Sequence, residues 1–230
     1  MSQATDRPVE PTSGNYTADP GHSAAHPHPA PAAAPAPEPV AVGDPGMIGV
    51  PAFLIGSIAL GLVLVGFVPA TATGASIPII MTATGIGQLV AALWAARLAE
   101  NASAAIFIIF GGFWLSYAAL VLGLTHNWFG ITTADTLGTQ KLFLTSWLVL
   151  IVLLTLVSLR LPLAFTVLFV LVDLALLLVL LGTANGSTTL TRAGGYAVFA
   201  FVIVGAYLFL NGMSVATGGR EYPLGTPVLH

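Results

Sequence analysis

The chain is dominated, from Met47 to Gly212, by apolar runs that suit lipid better than a soluble core. The first of these, from Met47 to about Val68, contains no charged residue. About 20 such residues cross a hydrocarbon layer of roughly 30 Å as a helix. Further runs cover about 76–96, 102–124, 142–159, 163–181 and 193–212. They predict an all-α membrane protein of six transmembrane helices. Charged residues make up 7% of the 230, against about 25% in a soluble domain, and the runs leave no room for a sizeable water-soluble domain. An enzyme with a soluble active site is therefore not expected, and no catalytic residue is assigned.

The segment 1–43 has the opposite character. It holds many Pro and Ala residues, the acids Asp6, Glu10, Asp19 and Glu38, and no long apolar run, so it cannot bury enough surface to fold. It also lacks the basic start and apolar centre of a signal peptide, and is expected to be a disordered cytoplasmic tail before a transmembrane domain over 44–225. His22, His26 and His28 fall within it, but a flexible Pro-rich chain pays a large ordering entropy to gather them round a metal. They are read as solvated, and no metal or cofactor is expected. The absence of cysteine removes disulfides and thiolate chemistry. A net charge of -3 without clustered Lys or Arg argues against nucleic-acid binding.

Orientation follows the basic residues near span ends. With the N-terminus inside, Arg7, Arg97, Arg160 and Arg220 lie on the cytoplasmic side, leaving Lys141 and Arg192 outside. Both termini are expected to be cytoplasmic.

Several residues within the spans stand out. Gly111 and Gly112 lie between aromatic rings in the third span, where paired glycines allow close approach of another backbone or of a solute. That helix either lines a pore or packs tightly, and Trp114 belongs to the same stretch. In the second span Gly87, Ala91, Ala95 and Ala99 recur every four residues, a packing face. Gln88 beside them is an amide that must find partners. Gly182 to Thr191 reads as a polar loop, and Trp128 and Phe129 sit where an interfacial aromatic belt would be. Asp173 falls near the middle of the fifth span, where an ionised, unpartnered acid is costly. It is either a candidate proton site or a protonated carboxyl bonded to a neighbouring helix or subunit, and both readings stand. No phosphate loop, paired-carboxylate site or metal-ligand helix is present in the sequence.

These residues also carry a resemblance. The stretch Asp44-Pro45-Gly46-Met47-Ile48-Gly49-Val50 is similar to the first-helix signature of the acetate uptake transporter family, Asn-Pro-Ala-Pro-Leu-Gly-Leu. Gln88 to Trp94 resembles its second-helix motif, and Phe110 to Tyr117 resembles its third-helix Gly-Gly-Phe-Trp-Leu-Ser stretch. Trp147 and Gly219-Arg220 fall where the family keeps a Trp and a Gly-Arg. The resemblance covers roughly 44–225. It implies a six-helix protomer in the plasma membrane, a homohexamer, and a path within each protomer for small monocarboxylates, usually proton-coupled. By position Phe53, Phe110 and Val172 match an apolar constriction on that path, with Phe110 replacing a tyrosine, Asp44 replacing an asparagine and Ala95 replacing a glutamate.

The expected function is membrane transport of acetate or a similar short-chain carboxylate by symport, with small anions, protons, membrane lipid and further copies of the chain as partners. An uncoupled carboxylate channel and a non-transporting scaffold or sensor are the alternatives.

Overall fold

The computed structural model describes residues 43–69, 71–72 and 74–229. His22, His26, His28 and Arg7 lie outside the described residues, as does nearly all of the segment expected to be a tail. Among the described residues every regular element is helical, and six helices are long and apolar enough to cross a membrane. They are α1 (Gly46–Val65), α2 (Ile79–Arg97), α3 (Asn101–His126), α4 (Thr136–Ser158), α5 (Leu163–Asn185) and α6 (Thr188–Ala216).

Local chemistry sets the helix ends. α1 stops at Gly66, whose φ of 88° continues no right-handed helix, and the Phe67 N–H closes the end on the Leu62 carbonyl at 2.9 Å. α5 stops in the same way at Gly186, with φ 61° and a Ser187 N–H bond to the Gly182 carbonyl at 2.8 Å. Ser187 then caps α6, its Oγ accepting from the Leu190 N–H at 3.3 Å. The polar stretch 182–191 is therefore not a loop. Its threonines extend two helices past their apolar parts, and only Gly186 and Ser187 connect them. Ala99 departs from expectation too: it lies beyond the end of α2 with φ 60°, so the small-residue row stops at Ala95.

α2 begins unusually. Its first eight residues, Ile79–Ile86, are wound as a π-helix before α-geometry resumes at Gly87. Within that wide turn Gly85 packs against Leu115 of α3 and Thr84 against Gly56 of α1. α5 and α6 are brought close by small residues: a Cβ on Gly194 would lie 2.7 Å from Val179 Cγ2, and one on Gly182 would lie 2.8 Å from the Thr191 nitrogen. α4 packs mainly on α5 and leaves Val149, Leu153, Leu156 and Val157 exposed.

An aromatic cluster occupies the middle of the bundle. Phe53 of α1, Phe110 and Trp114 of α3, Phe169 of α5 and Phe201 of α6 are all buried there. The segment after α6 folds back over one end. The Tyr222 N–H donates to Asn211 Oδ1 at 2.5 Å, the Tyr207 hydroxyl to the Pro223 carbonyl at 2.9 Å, and the Ala164 N–H to the Leu224 carbonyl at 2.9 Å.

Candidate functional site

Three cavities follow one another along the bundle. At the end where α1 begins and α6 finishes, a near vestibule of about 270 Å³ is bordered by Asp44, Met47, Gln88, Ser103, Asn211 and Leu224. A central chamber of about 70 Å³ lies among Phe113, Trp114, Tyr117, Ile151, Val172 and Phe201. A far vestibule of about 520 Å³, at the end where α4 begins, reaches Thr125, Thr136, Gln140, Thr183 and Thr191. Phe53 and Phe110 line both the near vestibule and the chamber. Leu64, Tyr117, Leu144 and Val179 line both the chamber and the far vestibule. Each pair of neighbouring spaces is thus divided by side chains that belong to both.

The first divider is aromatic. The rings of Phe53 and Phe110 meet edge to face with centroids 4.9 Å apart. Phe53 also touches Phe201 at 5.5 Å, and Phe110 stacks on Phe169 at 5.9 Å, so four helices hold the contact. The Ser57 hydroxyl donates to the Phe53 carbonyl at 2.8 Å. Val172 lines the chamber just beyond these rings.

The signature residues build the near vestibule. Asp44 Oδ1 accepts from the Gly46 N–H at 2.7 Å, starting α1 with a turn that an asparagine would make equally well. Pro45 is fully buried behind it. Gly49 is required by a close approach, since any Cβ there would overlap the Phe107 ring. Its carbonyl accepts from Gln88 Nε2 at 2.9 Å, tying α1 to α2, while Gln88 Oε1 is buried without a partner.

The paired glycines face neighbouring helices. A Cβ on Gly111 would stand 3.2 Å from Gln88 Cβ, and one on Gly112 would stand 3.4 Å from the Trp147 ring. Neither glycine borders the three cavities, and α3 lines the chamber through Phe110, Phe113, Trp114 and Tyr117. Trp114 is 2% exposed and its Nε1–H has no partner.

Asp173 stands apart. Next to Val172 in sequence, it points to α4, where Thr155 Oγ1 donates to its Oδ2 at 2.7 Å, and its Oδ1 is buried without a partner. It borders none of the three cavities. Thr155 also reaches the Ile151 carbonyl at 3.0 Å with its single hydroxyl proton. Both bonds form together when the carboxyl itself carries a proton and donates to Thr155.

Residues 26–222 match the model of the GPR1/FUN34/yaaH family. The chain belongs to that family. The match spans α1 to α6 and the signature at Asp44, and the acetate uptake transporters it resembles by sequence are this same family. Among similar proteins, accumulation of dyads protein 2 of Saccharomyces cerevisiae is 28% identical over 80% of this chain and 65% of its own length. Ammonia transport outward protein 2 of the same yeast is 28% identical over 69% of this chain and 58% of its own length. Acetate permease A of Emericella nidulans is 27% identical over 66% of this chain and 55% of its own length. The chain thus spans between about half and two thirds of these relatives' lengths. The solved bacterial acetate channel SatP superposes with a TM-score of 0.71 at 20% identity, over 80% of this chain and 100% of that one. It shares the six-helix fold with this member.

Phe169 and Phe201, which hold the ring contact, and Tyr117, Leu64, Leu144 and Val179, which divide chamber from far vestibule, were not singled out in the sequence. Tyr117 had a signal: it stands seven residues after Phe110 and three after Trp114, on the same helical face.

Proposed function

We propose that this family member carries a short monocarboxylate such as acetate across the plasma membrane, through the space enclosed within one protomer. The observation that carries the reading is the succession of two vestibules and a chamber joined through shared lining residues. An acetate permease and an acetate channel among its relatives and structural neighbours agree with it. Phe53, Phe110 and Val172 form the constriction, which passes a solute when the rings part and resists ions while dry. Asp44, Pro45 and Gly49 shape the near mouth, Gln88 and Gly111 hold α2 against α1 and α3, and Gly112 seats α3 against Trp147. The transport domain extends over 44–225 with both termini cytoplasmic, and the protomers associate as a homohexamer through the faces left exposed on the bundle, among them that of α4.

Transport is coupled to protons. Asp173 was a natural candidate for the coupling site, yet its bond to Thr155 and its distance from the cavities support the other role, a neutral link between α4 and α5.

The test is uptake of labelled acetate into proteoliposomes, measured against protein-free vesicles and against a variant with the chamber filled, Ala175→Phe. Protein-dependent uptake that the variant abolishes, in a protein that still purifies as a folded oligomer, supports the reading. Equal uptake in both rejects this path.

A further inference from the structure

The chemistry of the chamber lining specifies which form of the solute fits it. Of the described side chains that line it, only Trp114 and Tyr117 carry a hydrogen-bonding group. Among the described residues, no Lys, Arg or His borders the chamber or either vestibule. A carboxylate stripped of water needs a counter-charge or several donors, and without them its burial is prohibitive. One indole and one phenol fall well short of that. The titratable groups near the route add no positive charge: Asp44 stands at the near mouth, Tyr117 at the far divider, and Asp173, next to Val172, turns away to Thr155.

An undissociated acid is a different guest. It is neutral, its methyl group suits an apolar wall, and its carbonyl needs one donor. Trp114, which lines the chamber, has a donor to spare, since its Nε1–H is buried with no partner among the described residues and an indole can only donate. The near vestibule offers the complement for the acid's O–H. Gln88 Oε1 is a buried acceptor without a donor, and the Asp44 carboxylate accepts only.

We infer that the species held in the central chamber is the undissociated short-chain acid, its carbonyl oxygen accepting from Trp114 Nε1–H, so that the coupled proton crosses on the solute. This rests on the transport reading above. In the water of one vestibule a proton adds to the carboxylate oxygen and the O–H bond forms. The neutral molecule passes the Phe53–Phe110 contact and the far divider. On the other side the O–H bond breaks and the proton returns to water, so atoms and charge balance without any protonatable group of the protein. Trp114 becomes a specificity-determining residue, and acceptors at the mouth admit a donor-bearing solute where an anion would be repelled.

The experiment measures labelled acetate flux and moved charge together, in proteoliposomes of the full chain at equal pH on both sides, with potassium and valinomycin setting the membrane potential and protein-free vesicles subtracted. A simple carboxylic acid titrates between about pH 4 and 5, so above that range its neutral fraction falls about tenfold per pH unit. The expected result is a protein-dependent flux at fixed total acetate that falls in that proportion, moves no charge and ignores an inside-positive potential. A flux that is constant with pH, carries current and rises with that potential overturns the inference while leaving transport intact. Absence of any protein-dependent flux overturns both. Trp114→Phe removes the N–H and replaces the indole with a smaller ring. It is expected to lower the flux ~3- to 10-fold and to lower the melting temperature modestly, because the smaller ring leaves a cavity at a buried site although no hydrogen bond within the protein is lost. Unchanged flux in that variant removes Trp114 from the site.

Discussion

Phe53 of α1 and Phe110 of α3 meet edge to face with ring centroids 4.9 Å apart, and among the described residues these two side chains alone line both the near vestibule and the central chamber. The contact is braced by Phe201 behind Phe53 and by Phe169 stacked on Phe110, so neither ring can turn aside without disturbing a second helix.

Removing one ring should open the passage and weaken the bundle together. Phe53→Ala is expected to cost about 3 kcal/mol and to raise uptake while relaxing its preference for the shortest acids. Thermal unfolding in detergent, with uptake of acids of increasing chain length, checks both parts. A variant as selective as the native protein would show that the constriction lies elsewhere.

Asp173 should tolerate loss of its charge. An asparagine there can donate to Thr155 while Thr155 bonds the Ile151 carbonyl, reproducing the neutral acid. Asp173→Asn is therefore expected to keep its melting temperature within the change caused by about 0.5 kcal/mol and to keep the native pH profile of uptake. Thr155→Val, which leaves the carboxyl without a partner, should cost about 1–3 kcal/mol. An altered pH profile in Asp173→Asn would restore that residue as a proton site.

Two glycines should respond in opposite directions. Gly49→Ala drives a methyl group into the Phe107 ring and is expected to destabilise by about 1–3 kcal/mol. Gly138 lies in the first turn of α4 with nothing within 4 Å of a Cβ built there. Gly138→Ala should stabilise by about 0.5–1 kcal/mol through helix propensity. Melting temperatures of the two variants decide it: a Gly49→Ala variant as stable as the native chain would contradict the packing at Gly49, and a destabilised Gly138→Ala variant would contradict the open space at Gly138.

The residues after α6 should loosen as a unit. Asn211→Leu strands the Tyr222 N–H, a loss of about 1–3 kcal/mol that acts on the contact between 219–229 and the ends of α5 and α6. Limited proteolysis should cut between Arg220 and Leu224 sooner than in the native chain, and equal resistance would show that Tyr207 and Leu224 suffice.

The helices were legible because lipid imposes a simple rule. A span must be apolar along its whole length, so Met47 to Val68 or Leu163 to Leu181 declares itself without knowledge of neighbours. The ends were less so, since hydropathy marks the edge of the hydrocarbon and not the edge of the helix. Thr183 and Thr188 are helical yet polar, and Gly186, a left-handed stop, was hidden within a stretch read as loop. The π-wound start of α2 left no mark, because Ile79–Ile86 has the composition of any apolar turn. At the site, the motif resemblance drew attention to Phe53, Phe110 and Val172. Phe169 and Phe201 escaped it because an aromatic ring in an apolar helix looks the same whether it faces lipid, another helix or a cavity. Asp173 was conspicuous by its charge, and charge alone carries no information about direction: one step along the helix separates Val172 in the chamber from Asp173 against Thr155.

The proposed passage of a short carboxylate together with a proton is tested by uptake of labelled acetate into proteoliposomes of the purified protein, with and without an imposed inward proton gradient. Protein-dependent accumulation above equilibrium only when the gradient is present is the predicted result. Protein-dependent equilibration that ignores the gradient, or uptake no greater than in protein-free vesicles, would contradict it.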